Sequence, residues 1–157
     1  MKKENMNNKG FSLVELIIVI AIMAILIVVL APQYLRYVER SRNSTDMQNA
    51  RTLMTAAETW AADPQASSSF GQSGNSFVFN INTKGTASTI TEASGTGVVG
   101  TPAADCLNAS GLNIADISCS SKTAWSSYTI KGTIQDNGSI KWEFTPTALA
   151  NAMKGGS

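Results

Sequence analysis

One acidic residue, Glu15, interrupts an otherwise apolar run that extends from Phe11 to Ala31, and the next charge is Arg36. An ionised carboxylate at mid-membrane depth costs about 2.5–3.5 kcal/mol on insertion scales, so Glu15 is expected to have a cationic partner. The nearest one would be an α-amino group four residues earlier, created by cutting the chain between Gly10 and Phe11. The chemistry indicated is therefore cleavage of the chain followed by charge pairing.

Few other residues are of the types that commonly perform catalysis or bind metals. The chain has no histidine and two cysteines, so the usual general base is absent and zinc ligands are scarce. The acidic residues are scattered, and the 12 basic and 11 acidic side chains nearly balance, which gives no footprint for strong nucleic-acid binding. We predict no enzymatic activity, no catalytic residues, no metal, no cofactor and no specific nucleic-acid partner.

Two simpler explanations of the apolar run leave Glu15 without a role. A secretory signal peptide would share the basic start and the small-residue end at Ala31, but it would place Pro32 directly after the cut. A plain membrane anchor fits the length, since about 20 apolar residues span the hydrocarbon core. The anchor explanation is kept, and the acid needs an explanation of its own.

This segment resembles the N terminus of the type IV prepilin family. The resemblance covers residues 9–34 and combines Gly10 before Phe11, an acid at Glu15, the apolar run and a proline at Pro32. It implies that a prepilin peptidase removes residues 1–10 and that Phe11 is then N-methylated. It also implies that Phe11 and Glu15 act in assembly, with Glu15 pairing with the N-terminal amine of a neighbouring subunit.

The same resemblance implies where the protein resides and what it meets. The precursor would cross the cytoplasmic membrane once, and the processed subunit would join a helical, extracellular homopolymer through an assembly platform and its motor. The fold implied is α+β, with a long N-terminal helix packed on a C-terminal antiparallel sheet. Four segments are predicted: a leader at 1–10, a transmembrane and fibre-core helix at 11–35, an amphipathic half of that helix at 36–62, and a β-rich head at 63–157.

Hydrophobic spacing supports the long helix. After the all-apolar first half, apolar residues recur at helical spacing from Met47 to Ala61, as on a helix with one buried face. The charges of Arg42 and Asp46 lie four apart, a spacing that supports an exposed helical face. Pro32 is expected to kink the helix, and the residue before Pro64 is expected to end it.

A β-hairpin is the clearest element of the head. Apolar and polar residues alternate from Tyr128 to Ile134 and again from Ile140 to Phe144. Asn137-Gly138 lies between them and would supply the positive φ angles of a tight turn. One further strand is predicted at 77–81. The polar, glycine-rich stretches at 65–76 and 82–100 are predicted to be loops.

The two cysteines, Cys106 and Cys119, are expected to form an intrachain disulfide. Exported domains meet an oxidising compartment, where two cysteines are more often bridged than free. The bridge would close a short loop and contribute about 3 kcal/mol in the chain-entropy model. Its second cysteine precedes the hairpin, whereas many Gram-negative relatives carry that cysteine close to the C terminus.

The function predicted from these features is that of a structural subunit, the major pilin, of an extracellular type IV pilus. Two alternatives remain at this point. One is a pseudopilin of a type II secretion or competence system, which shares the N-terminal signature. The other is a minor tip pilin that acts as an adhesin or receptor.

Overall fold

A computed structural model describes residues 12–63, 66 and 68–155 of the 157-residue chain. The chain divides into two compact units, residues 1–38 and 39–157, and each is described by itself. Gly10 and Phe11, the predicted cleavage site, lie outside the described residues.

The first element is helix α1, Leu13–Ala62, which includes Pro32. Its first half is rich in leucine, isoleucine and alanine, and no charged residue occurs in it between Glu15 and Arg36. The helix ends at Ala62, and Asp63 closes the last turn with its N–H 3.2 Å from the carbonyl oxygen of Trp60. The helix ends there because Pro64 disfavours helical geometry in the residue before it.

The second unit contains one antiparallel sheet of four strands in the order β2-β1-β3-β4. The strands are β1 Ser76–Ile81, β2 Thr89–Ser94, β3 Tyr128–Ile134 and β4 Ile140–Thr145. Strand β1 pairs with both β2 and β3, and β3 also pairs with β4. The predicted α+β class, with a long helix and an antiparallel sheet, is confirmed.

The core of this unit lies between the sheet and the second half of α1. Along β1 and β3 every second side chain is buried, the period expected of a sheet with one face covered. From the helix, Ala50, Leu53 and Ala57 are completely buried in the same cluster. The amphipathic spacing of this part of α1 therefore identified the buried face correctly.

A cross-strand row of three residues holds the centre of the sheet together. Gly132 of β3 pairs with Phe77 on one side and with Trp142 on the other. The rings of Phe77 and Trp142 meet edge to face above it, with centroids 5.8 Å apart. A Cβ atom on Gly132 would lie only 2.5 Å from Cζ of Phe77. Glycine is therefore required here for space, because the phenylalanine ring occupies the position of a side chain.

The hairpin turn differs in one detail from the sequence expectation. Gly138 has a positive φ of 77°, but no residue other than glycine has a positive φ in the described part of the chain, so Asn137 does not supply one. Three residues, 136–138, make up the turn. Gln135 donates to Ser139 at 2.9 Å and Gly138 donates to Gln135 at 3.0 Å. This pattern matches a three-residue loop with glycine in the left-handed region.

Two elements occur where loops were predicted or no element was assigned. Strand β2 occupies part of the 82–100 stretch, and helix α2, Pro102–Ala109, follows it. Glu92 of β2 accepts hydrogen bonds from the N–H groups of Ala103 and Ala104 at 3.0 and 3.1 Å. A strand residue thus satisfies the free donors at the start of α2, a contact that local sequence patterns do not reveal. Helix α3, Thr147–Lys154, follows β4.

Candidate functional site

Glu15 lies in the first turn of α1. Its Oε2 atom accepts a hydrogen bond from the backbone N–H of Ser12 at 3.0 Å. This position suits a carboxylate, since the first N–H groups of a helix have no partner within it and carry a partial positive charge. The predicted pairing of Glu15 with the amine of Phe11 involves a residue outside the described part and stays a prediction.

The apolar half of α1 is exposed along its whole described length in the single chain. Every large apolar side chain from Leu13 to Leu30 is at least 45% exposed, and Val28 reaches 74%. The helix is long and apolar enough to cross a membrane by length and composition. Exposed apolar patches of this size are rare on soluble monomers and mark membrane or protein contacts. The surface therefore requires lipid or neighbouring protein.

Pro32 lies inside the continuous span of α1. Proline has no backbone N–H, so the carbonyl of Val28 loses the partner it would otherwise have four residues later. The predicted kink at Pro32 stays a prediction. Just beyond it, Tyr34 and Tyr37 are 66% and 73% exposed, which makes them available for contacts outside the chain.

In the second unit, Glu39 holds the loop at residues 118–125, which precedes β3. Its Oε1 atom accepts hydrogen bonds from the N–H groups of Lys122 and Thr123, both at 2.8 Å, and from the Ser121 hydroxyl at 2.7 Å. Its other oxygen, Oε2, pairs with Arg42 at 3.4 Å. Hydrogen bonds from Thr123 first, then from Lys122 and Ser121, lower the pKa of Glu39 far below its usual value.

Asp46 lies seven residues after Glu39 on α1 and binds the same loop from its buried side. It is completely buried. Its Oδ1 atom accepts from the N–H of Ser120 at 2.7 Å, and Oδ2 accepts from the N–H of Ser121 at 2.9 Å and from the indole N–H of Trp125 at 2.8 Å. Buried carboxylates are tolerated when several donors surround them. Glu39 and Asp46 are called the loop-holding carboxylates below.

The structure does not show the predicted disulfide, which stays a prediction: Cys106 and Cys119 are both free, buried thiols in it. Each has separate surroundings. Cys106 donates to the carbonyl of Ala103 at 3.0 Å within α2, and Cys119 lies 3.4 Å from Oδ2 of Asp46. Burial raises the pKa of each thiol to about 12, and the next cause is the charge of Glu92 for Cys106 and of Asp46 for Cys119. The prediction relied on the compartment and on the number of cysteines, neither of which says how close the two thiols lie.

The spacing of Arg42 and Asp46 also predicted an exposed charged face, and this was wrong for Asp46. Arg42 pairs with Glu39 instead, and Asp46 faces the core. A signal for this was present in the sequence: Asp46 precedes Ala50, Leu53 and Ala57 by steps of four and three residues and therefore shares their buried stripe. An acid on an apolar stripe indicates a buried partner.

Comparisons with known proteins agree with the N-terminal features. The family model described as "Prokaryotic N-terminal methylation motif" matches residues 5–31. This range includes Gly10, Phe11 and Glu15.

Several curated proteins are also similar. A Type IV major fimbrial protein FimA of Dichelobacter nodosus is 40% identical over 94 residues, which is 59% of this chain and 58% of that protein. The Type IV major pilin protein PilA of Myxococcus xanthus (strain DK1622) is 35% identical over 66 residues, 42% of this chain and 30% of that protein. Prepilin peptidase-dependent protein A of Clostridium perfringens (strain 13 / Type A) is 37% identical over 68 residues, 42% of this chain and 49% of that protein.

The matches span less than three fifths of the length of these relatives. No solved structure matches the chain significantly. The matched methylation motif and the exposed apolar helix nevertheless occupy the same part of the chain. Over part of its length, the chain is therefore similar to proteins named as type IV major pilins and fimbrial proteins.

Proposed function

We propose that this chain is the major structural subunit of an extracellular type IV pilus. The observation that carries the proposal is the apolar, exposed first half of α1, located within and just after the matched methylation motif. In the membrane this surface contacts lipid, and in the fibre it contacts the same helix of other subunits. The relatives named as major fimbrial and major pilin proteins support a major subunit over a pseudopilin or a tip adhesin.

Processing precedes assembly in this proposal. A prepilin peptidase cuts after Gly10 and Phe11 receives a methyl group, and the assembly platform and motor then extract the subunit from the cytoplasmic membrane. Glu15 pairs with the cationic amine of Phe11 on the neighbouring subunit. Removing one partner of a buried ion pair costs about 3–5 kcal/mol, which is enough to decide whether a subunit docks.

The test compares two isosteric substitutions in the full chain, expressed in its host in place of the wild type. Glu15→Gln should insert, fold and be processed, but fibres should be lost or greatly reduced. The control, Glu143→Gln, removes an equal charge from an exposed position on β4 and should leave the fibre yield unchanged. Normal fibre yield from Glu15→Gln alone would show that the pair does not drive docking.

Mass analysis of purified fibres tests the processing step separately. The expected mass is that of a chain beginning at Phe11 with one additional methyl group. Fibres composed of chains that retain residues 1–10 would contradict the proposal.

A further inference from the structure

A cavity of about 500 Å³ lies in the second unit, beside the loop at 118–125. Three basic side chains line it, and they come from separate segments: Arg42 from α1, Lys84 from the turn between β1 and β2, and Lys122 from the loop. Among the described residues, no acidic side chain lines it. The chain as a whole carries a net charge of +1, so this concentration of positive charge is local. We refer to this cavity as the basic pocket.

The oxygen atoms of the loop-holding carboxylates, Glu39 and Asp46, already have hydrogen-bond or ion-pair partners. Glu39 uses Oε1 for three donors of the loop and Oε2 for Arg42. Asp46 is buried behind the loop with its oxygens accepting from Ser120, Ser121 and Trp125. Neither ammonium group of Lys84 or Lys122 forms an ion pair within the described part of the chain. The lysine charges are therefore uncompensated.

The backbone around the basic pocket is fixed in advance. Thr83, beside Lys84, forms a parallel bridge with Cys119, and the N–H of Cys119 donates to the carbonyl of Asn82 at 2.8 Å. The loop-holding carboxylates fix the next four residues of the loop. A site whose walls are already ordered loses less entropy when a ligand binds.

Serine hydroxyl groups also line the basic pocket. Ser41, Ser118 and Ser120 all line the cavity, and their hydroxyl groups make no side-chain hydrogen bond to any described residue. Arg42 keeps guanidinium N–H groups beyond the one that meets Glu39. Cations and hydroxyls converging from several directions match a tetrahedral oxyanion, which accepts hydrogen bonds all round, better than a planar carboxylate.

We infer that the basic pocket binds the phosphate group of a phosphate ester. A volume of about 500 Å³ lies within the usual range for small-molecule sites and accommodates a phosphate together with the group that it esterifies. The ligand is either a soluble phosphate ester or the headgroup of an anionic phospholipid. This inference does not depend on the proposed function, since it concerns only head residues.

The test titrates the full-length chain in uncharged detergent micelles with glycerol 1-phosphate, at constant ionic strength, and follows backbone amide resonances by NMR. The amides of residues 118–122 should shift and saturate with a Kd in the millimolar range. The double variant Lys84→Gln/Lys122→Gln should weaken binding at least tenfold. The matched control, Lys131→Gln/Lys141→Gln, removes two positive charges from the sheet and should bind as the wild type does.

Two further arms identify the ligand. Sodium acetate at the same ionic strength should not reproduce the shifts. In nanodiscs, phosphatidylglycerol should slow amide exchange of residues 118–123 relative to phosphatidylcholine if the ligand is a lipid headgroup. A response to glycerol 1-phosphate without this protection would assign the pocket to a soluble ester. Equal binding by the double lysine variant, equal shifts with acetate, or no response to either phosphate would overturn the inference.

Discussion

The indole Nε1 of Trp125 lies 2.8 Å from Oδ2 of Asp46, so a loop residue completes the hydrogen bonding of an acid that is buried on the second half of α1. The two residues are far apart in sequence. The same carboxylate accepts from two backbone N–H groups of the loop. Two segments of the head, the helix and the loop, are therefore joined at one buried carboxylate.

Asp46→Asn should destabilise the head by about 2–4 kcal/mol, because an amide presents N–H donors where the loop also offers donors and leaves at least one of them unsatisfied. The measurement is chemical unfolding of the full chain in micelles, followed by tryptophan fluorescence. Asp116→Asn, at an exposed position, is the matched control and should change the free energy of unfolding by less than about 0.5 kcal/mol. Equal stability of the two variants would contradict the role given to Asp46.

Glu39 should make the stability of the head depend on pH in the acid range. Its pKa is lowered in the folded state, mainly by the N–H groups of Thr123 and Lys122. The folded state therefore gains stability from this group above the usual value of 4.5, and the gain is lost progressively as the pH falls below that value. The difference in unfolding free energy between wild type and Glu39→Gln should be constant from pH 6 to 7 and should shrink below pH 4.5.

Glu143→Gln provides the comparison for Glu39, since Glu143 is exposed and meets only Lys141, at 3.3 Å. Exposed pairs contribute little, so this variant should follow the wild type at every pH. A Glu39→Gln difference that stays the same from pH 7 to pH 3 would show that its hydrogen bonds to the loop do not depend on ionisation.

Gly132→Ala should destabilise the head by about 1–3 kcal/mol, as is typical when a packed core is given extra volume. The added Cβ would meet the Phe77 ring at 2.5 Å and Ile140 at 3.0 Å. Gly155→Ala is the control, because its Cβ would make only an ordinary contact at 3.5 Å. Adding Phe77→Leu should reduce the cost of Gly132→Ala, which a double-mutant cycle measures; strict additivity would contradict the steric explanation.

Both cysteines should be alkylated once the chain is unfolded without any reductant, giving a mass increase of two adducts. In the native state both should react much more slowly than a free thiol at pH 8, since burial raises each pKa to about 12 and the thiolate is the reactive form. Intact mass spectrometry measures both rates. An unfolded chain that takes up no label until it is reduced would show that the two cysteines form a disulfide.

The sequence alone was enough to predict the apolar half of α1 and the position of Glu15 at its start. A continuous apolar run has one stable form in a membrane, the helix, and the position of Glu15 within it is a local fact. The alternating residues of β3 and β4 likewise predicted strands, because a sheet with one covered face imposes a period of two. Pro64 marked the end of the helix because the residue before a proline is kept out of helical geometry. Gly138 marked the hairpin turn because glycine tolerates a positive φ.

Only the tertiary structure decided the contacts between segments that are distant in sequence. Strand β2 has few apolar residues and forms because β1 offers it a ladder of hydrogen bonds. Helix α2 begins where Glu92 satisfies its first N–H groups. The thiols of Cys106 and Cys119 have separate acceptors, although the presence of two cysteines suggested a disulfide. The hydrogen-bond partners of Glu39 and Asp46 also lie far away in sequence, because the loop at 118–125 folds back over α1 and brings its donors to both carboxylates.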